Sequence, residues 1–231
     1  FAMGVNPLMD DGLDFGVSSV QTVAPEATAP TIKLDQPAQP LAPGVLFAQD
    51  FASDSVGQMP AGWQGEPVAD AALSVVEDPD GSGEKCLLFQ KTGETAGTSF
   101  SCHFKEVRGN LVIEYDIRCD EKNKHLLGLY VEADKDFRRS VHTVVQCTDP
   151  SKPAHLRVFT QPADYAMGQW AHIKYVVDLG EGLVDGYVDD QLVAEGVRMG
   201  TRTPVLNTLS IRDSKNTTGT LYVKNVVIRQ G

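Results

Sequence analysis

Apolar and polar residues alternate along most of the chain after residue 44. The clearest case is 111–119, where the odd positions are apolar and three of the four intervening ones are charged. The same period of two recurs at 171–178 and 221–227. This period is typical of a β-strand with one buried face. Further strand candidates are 45–51, 73–77, 85–91, 98–107, 126–133, 141–147, 156–160, 183–188, 191–195 and 205–213.

Turn signals separate these strand candidates, as at Asp80-Gly81, Arg108-Gly109 and Asp189-Asp190. No window of about a dozen residues has the 3.6-residue period of an amphipathic helix. The pattern therefore predicts an all-β fold, a β-sandwich (jelly roll) of two antiparallel sheets. No internal repeat is visible, which argues against a propeller or a solenoid.

The first 44 residues differ in composition from the rest. They hold six of the 13 prolines and five acidic residues against one base, Lys33. Closely spaced prolines prevent both a helix and a central strand. We therefore expect 1–44 to be an extended interdomain arm and 45–231 to be the sandwich. The opening Phe1-Ala2-Met3-Gly4 resembles a cloning remnant, so a signal peptide could have preceded it.

The chain has 231 residues and a net charge of −11. Nucleic acids and anionic membranes favour clustered Lys and Arg, so this balance argues against both as partners. The sequence contains no run of about 18 apolar residues, so no membrane span is expected.

Four cysteines occur: Cys86, Cys102, Cys119 and Cys147. They are too few for a disulfide-built scaffold, and none forms a Cys-x-x-Cys pair. Cys86 and Cys102 flank a glycine-rich turn and could meet across a hairpin. Four reduced core thiols are the equal alternative.

Several segments resemble concanavalin A-like (laminin G-like) domains. They are Ala48-Gln49-Asp50-Phe51 with the following Met59-Pro60-Ala61-Gly62-Trp63, and the stretches 111–118, 168–178, 186–191 and 219–228. The resemblance covers roughly 45–231. It implies the predicted sandwich, and it makes Trp63 and Trp170 structural. It also implies a module appended to a secreted bacterial polysaccharide-degrading enzyme, hence a secreted, periplasmic or cell-surface location.

Hydrolases that share this fold place three carboxylates on one strand, as Glu-x-Asp-x-Glu. Glu114 and Asp116 match the first two positions, but the third is Arg118, or Cys119 in a bulged register. Neither can act as a carboxylic acid that protonates the leaving group. Glu114 and Asp116 are therefore expected to be a solvated, charge-balanced strand face.

A polysaccharide lyase needs a base and a group that neutralises the uronate. His142 follows Arg138 and Arg139 closely, and Tyr130 lies one predicted strand earlier. These residues are the best lyase candidates in the chain, although no lyase motif accompanies them.

The same region supplies the candidate ligand-binding residues. We expect 132–142 to be a loop that brings an aromatic residue and two arginines together in an acidic protein, because Arg suits carboxylates and sulfates. A solvated hairpin tip is the alternative. The candidates are Tyr130, Phe137, Arg138, Arg139 and His142, with Arg157, Gln161 and Tyr165 as a second set.

No cofactor is required by any motif, but the resemblance implies a structural Ca²⁺ site between the first and last strands. Asp50 matches the first-strand ligand, and Asn225 could offer an oxygen from the last strand. The neighbouring Lys224 would repel a cation.

Three hypotheses follow. The leading one is a non-catalytic carbohydrate-binding or accessory module that binds a polysaccharide or oligosaccharide and neighbours other domains of a parent protein. The second is a glycan-active enzyme, a glycoside hydrolase or a polysaccharide lyase, of the same fold. The third is a structural domain that packs against a catalytic neighbour.

Overall fold

The structure is a computed structural model. It describes residues 41–65, 68–93, 97–120, 126–146, 155–159, 161–214 and 217–231, without the side chains of Leu126, Phe137, Gln146 and His155. These residues belong to one compact unit, 40–231. The arm predicted at 1–44 lies outside the described residues up to position 40, as does Cys147.

The described residues form fifteen strands and no helix. In chain order they are β1 (Val45–Gln49), β2 (Trp63–Gly65), β3 (Ala71–Glu77), β4 (Lys85–Lys91), β5 (Ser99–Val107), β6 (Asn110–Arg118), β7 (Leu126–Ala133), β8 (Asp136–Gln146), β9 (His155–Val158), β10 (Gln161–Asp164), β11 (Ala171–Asp178), β12 (Leu183–Val188), β13 (Gln191–Arg198), β14 (Leu206–Asp213) and β15 (Gly219–Gln230).

Two antiparallel sheets pack face to face, which confirms the predicted all-β sandwich. Sheet A has the order β13-β12-β11-β6-β15-β4-β3, with β1 also paired to β15. Sheet B has the order β10-β9-β8-β7-β14-β5-β2. Because many neighbouring strands in these lists are distant in sequence, most of the pairing depends on long-range contacts.

The period of two places one apolar face of each sheet in a common core. In β6, Leu111, Ile113, Tyr115 and Ile117 are completely buried, while the residues between them are only half-buried. The matching face of sheet B supplies Leu129 and its apolar neighbours on β7 and β14. Burial of this apolar surface is the main force that holds the two sheets together.

Two polar links cross the core between the sheets. The Tyr115 hydroxyl donates to Thr143 Oγ1 at 2.8 Å, and Thr143 Oγ1 lies 2.7 Å from the Tyr175 hydroxyl. Lys91 Nζ, on β4, pairs with Asp213 Oδ2, on β14, at 2.7 Å, and both side chains are fully buried. Buried polar groups are costly unless paired, so these links fix how the two sheets are aligned.

Two sequence-based expectations were wrong. The region 132–142 is not a loop, because β7 continues to Ala133 and β8 already begins at Asp136. Cys86 and Cys102 do not meet across a hairpin: they lie on β4 and β5 in different sheets, and each is a free, buried thiol. Burial raises the pKa of each of these thiols to about 12.

Candidate functional site

Three aromatic rings stack on sheet B, two of them half-buried on its outer face and the third, Phe159, buried. Tyr130 on β7 is directly opposite His142 on β8, and their ring centroids are 5.1 Å apart. The His142 ring stacks in turn on Phe159, with centroids 5.0 Å apart. We call Tyr130, His142 and Phe159 the ring stack.

Phe159 reaches the ring stack from a strained backbone position. It directly follows β9, whose last residue, Val158, pairs with Gln161 of β10. Its φ is 61°, a left-handed conformation that bulky residues avoid. Its N–H donates to the His142 carbonyl at 3.0 Å, which ties the turn to β8. Strain of this kind is concentrated at functional sites.

A buried carboxylate and a guanidinium flank the Tyr130 end of the ring stack. Glu132 is completely buried and accepts a hydrogen bond from Ser210 at 2.7 Å and another from Arg212. The Arg212 guanidinium lies 5.7 Å from the Tyr130 ring centroid and also donates to the Lys135 carbonyl at 2.8 Å. Glu132 Oε2 is buried and has no hydrogen-bond partner among the described residues.

Burial sets the protonation states in this cluster. It lowers the pKa of His142 to about 4, with a further contribution from Arg157, so the imidazole is neutral at pH 7. Burial raises the pKa of Tyr130 to about 12. Burial also raises the pKa of Glu132, although the charge of Arg212 partly lowers it again. Ser140 Oγ lies 3.0 Å from His142 Nδ1 and orients the ring.

The structure brings together only some of the candidate ligand-binding residues. Tyr130 and His142 are in contact. Arg138 and Arg139 are consecutive residues of β8, so their side chains face opposite sides of the sheet. Arg139 lies 3.6 Å from Asp136 within its own strand. The side chain of Phe137 is outside the described part of the chain.

Sequence reasoning missed Arg212, Ser210 and Phe159. The polar positions of β14 alternate with core residues, so that pattern could have identified Ser210 and Arg212 as outer-face residues. No sequence pattern identifies Phe159, because phenylalanine is common in strands and the residue was therefore predicted to belong to one.

Glu114 and Asp116 lie on the opposite surface of the sandwich, the outer face of sheet A. Asp116 accepts from Asn225 at 2.8 Å and lies 2.8 Å from His172 Nδ1. Glu114 pairs with Arg229. Both carboxylates therefore have cationic or amide partners, and Arg118, expected beside them, instead pairs with Asp80 and Asp120.

The two residues of the expected Ca²⁺ site form other contacts. Asp50 Oδ1 accepts the Ala52 N–H at 3.0 Å, and the Asn225 amide donates to Asp116. Among the described residues, no group of three or more His, Cys, Asp or Glu is arranged to hold a metal ion. Calcium binding at Asp50 and Asn225 stays a prediction.

Lys224 is the centre of a charged cluster on sheet A. Its Nζ lies 2.6 Å from Asp78 Oδ2 and 2.8 Å from Glu84 Oε2. It also lies 4.7 Å from the centroid of the Trp170 ring, whose Nε1 donates to Asp78. Burial opposes ionisation of Asp78, but hydrogen bonds from Lys224 and three other groups hold its pKa well below its usual range. Trp63, the second tryptophan, is buried in the core.

Comparison with solved structures decides the fold class. A sialidase superposes with a TM-score of 0.59 at 14% identity, over 81% of this chain and 18% of the sialidase. A Bacillus subtilis protein of unknown function with a galectin-like fold superposes with a TM-score of 0.50 at 13% identity, over 81% of this chain and 96% of that one. The chain is a concanavalin A-like β-sandwich.

A third protein shares this concanavalin A-like architecture. It is described as a carbohydrate esterase from the Shiga toxin-encoding bacteriophage phi24B, and it superposes with a TM-score of 0.54 at 12% identity, over 81% of this chain and 99% of that one. No family model and no curated protein matches the chain. Nowhere in its described part does the chain contain a helix long and apolar enough to cross a bilayer.

Proposed function

We propose that this concanavalin A-like domain is a non-catalytic carbohydrate-binding module whose ligand lies on the outer face of sheet B. The ring stack carries the proposal: the partly exposed Tyr130 and His142, backed by the buried Phe159, lie beside the buried Glu132. Small-molecule sites combine aromatic surface with a few fixed polar groups in this way. Arg212 adds a planar donor beside Tyr130.

The protonation states favour binding over turnover. General bases work best when their pKa lies near the operating pH, whereas the pKa of His142 is about 4. Tyr130, with a pKa of about 12, stays protonated at neutral pH. Both side chains can therefore exchange hydrogen bonds with hydroxyl groups without transferring protons.

A polysaccharide lyase that acts through His142 and Tyr130 is the second candidate. Their contact at 5.1 Å, with Arg157 near enough to lower the pKa of His142, is the observation that favours it. Elimination forms a conjugated double bond in the product, so a rise in ultraviolet absorbance on uronate polysaccharides, lost in His142→Ala, would establish this function instead.

The setting of the module is part of the proposal. The chain aligns with only 18% of the sialidase, which agrees with a unit carried within a larger protein. We propose that its neighbours are other domains of a secreted bacterial glycan-processing protein.

Affinity electrophoresis through gels that contain neutral and acidic polysaccharides tests the proposal. We expect at least one polysaccharide to retard the protein, and His142→Ala to abolish the retardation. His172→Ala is the matched control, because His172 lies on the outer face of sheet A beside Asp116. Unretarded migration in every gel, or equal retardation of His142→Ala and the parent protein, contradicts the proposed site.

A further inference from the structure

A cleft of about 500 Å³ opens on sheet B, two strands away from the Tyr130 end of the ring stack. Its described lining comes from β2, from the start of β5 and from the turn between β7 and β8. The polar side chains that line it are Gln64, Thr98, Ser99, Ser101 and Lys135. A volume of this size falls within the range of small-ligand sites.

Thr98, in the lining of the cleft, has a buried hydroxyl group without a partner among the described residues. The residue is only 7% exposed. Its backbone N–H donates to the Asp213 carboxylate, which fixes the residue in place. Buried hydroxyl groups without a partner are rare and costly, so a ligand that bonds to Oγ1 removes an existing penalty.

The cleft and the ring stack belong to one surface. Ser101 is opposite Ser210, Ser210 is opposite Tyr130, and Tyr130 is opposite His142. These four residues therefore form one row across β5, β14, β7 and β8. With strands about 4.8 Å apart, the row is about 14 Å long. Its Ser101 and Ser210 are buried, so only its end at Tyr130 and His142 and the cleft beside its other end are open to a ligand.

Three cationic side chains lie along this face of an acidic protein. The chain has a net charge of −11, yet Arg157 and Arg212 flank the ring stack and the exposed Lys135 lines the cleft. Three acidic side chains among the described residues nearby accept hydrogen bonds from this face. Glu132 binds Arg212, Asp134 accepts from Asn207 at 2.8 Å, and Asp136 accepts the Arg138 N–H at 3.0 Å.

We propose that the cleft binds a uronate residue of an acidic oligosaccharide. Lys135 pairs with the sugar carboxylate, and Gln64, Thr98 and Ser101 bond to its hydroxyl groups. The overall negative charge opposes a densely sulfated chain, whereas one ammonium matches one carboxylate. This inference rests on the proposed function, because it assigns the ligand class of the same surface.

Calorimetric titration with two matched pairs of tetrasaccharides tests the inference. The pairs are cellotetraose with tetra-β-1,4-glucuronate, and mannotetraose with tetra-β-1,4-mannuronate, and within each pair only the carboxylates differ. We expect a uronate to bind at least about tenfold more tightly than its neutral partner, as one charge-assisted hydrogen bond provides. Lys135→Gln should remove this preference, and Lys174→Gln, on sheet A, should keep it.

The outcomes separate this inference from the proposed function. Equal affinity for the two members of each pair, with binding still lost in His142→Ala, overturns the uronate assignment and leaves the carbohydrate-binding site intact. A uronate preference that survives in Lys135→Gln also overturns the assignment to this cleft. Failure of the protein to bind any of these tetrasaccharides, together with unretarded migration in every polysaccharide gel, overturns both.

Discussion

The Tyr175 hydroxyl, on sheet A, donates a 2.6 Å hydrogen bond to the backbone carbonyl of His142, on sheet B. The bond is the last of a directed series in which Tyr115 donates to Thr143 and Thr143 Oγ1 donates to Tyr175. It crosses the apolar core and ends on the strand that carries the central ring of the stack. The position of His142 is therefore fixed from beneath, by the opposite sheet.

Removal of the Tyr175 hydroxyl should destabilise the fold. Tyr175→Phe leaves the Thr143 hydroxyl without its acceptor, and the His142 carbonyl loses this donor while the bond from the Phe159 N–H remains. We expect a loss of about 1–3 kcal/mol in the free energy of unfolding by urea. Tyr115→Phe, equally buried but only the first donor of the series, should lose less. Equal losses in the two variants would contradict a directed series.

The buried Lys91–Asp213 pair should be worth far more than a surface pair. Lys91→Met leaves the Asp213 carboxylate, whose pKa burial already raises, without its cation. We expect a loss of about 3–5 kcal/mol in denaturant unfolding. Arg108→Ala, which breaks the exposed pair with Glu106, should cost less than about 1 kcal/mol. A loss of that small size in Lys91→Met would show that the pair does not hold the sheets.

The free energy of unfolding should decrease as the pH is lowered, because His142 takes up a proton more readily in the unfolded chain. The imidazole has a pKa of about 4 in the fold and 6.5 as its ordinary value, so between these values the unfolded chain binds the proton more tightly. Its contribution is complete above pH 6.5 and is lost as the pH falls toward 4. From pH 7 to pH 5 the parent protein should lose roughly 2 kcal/mol more than His142→Asn.

The raised pKa of Glu132 acts with the opposite sign, since there the folded state binds the proton more tightly. Both proteins contain Glu132, so the comparison cancels this contribution. Parallel stability profiles of the parent and His142→Asn between pH 7 and pH 5 would refute a buried, neutral His142.

The turn between β12 and β13 offers a stabilising substitution. Asp189 and Asp190 form a two-residue turn with φ of 47° and 62°. Glycine adopts such angles without the roughly 1–2 kcal/mol penalty of a side chain, which exceeds its own entropic cost of about 0.5–1 kcal/mol. Asp190→Gly should therefore raise the free energy of unfolding by about 0.5–1 kcal/mol.

Asp189→Gly is the matched control for this turn. It relieves a similar angle but removes the 2.9 Å hydrogen bond from the His172 N–H to Asp189 Oδ1. The control should gain nothing or lose stability. An equal gain in both variants would mean that the side-chain bond does not stabilise the turn.

The sequence predicted the sheets better than the site. The strand candidates matched the observed bounds of β4, β7, β11 and β12, and in β11 the signal was the period of two that one buried face imposes. The shorter β2 and β10 were missed, since three or four residues carry too little pattern. The site depends on register, which brings Ser210, Tyr130 and His142 into line from strands far apart in the chain. No local spacing encodes that alignment.

Lys224 gives the loop that contains Asp78 and Glu84 a counter-ion that is part of the chain itself. A dissolved cation must be captured at a concentration that the surroundings determine, whereas this ammonium is supplied once, by synthesis, and cannot diffuse away. Because Lys224 is covalently part of the chain, chelating agents or dilution do not change the charge balance around Asp78 and Glu84. This loop should remain folded wherever the domain is delivered, whatever the supply of metal ions there.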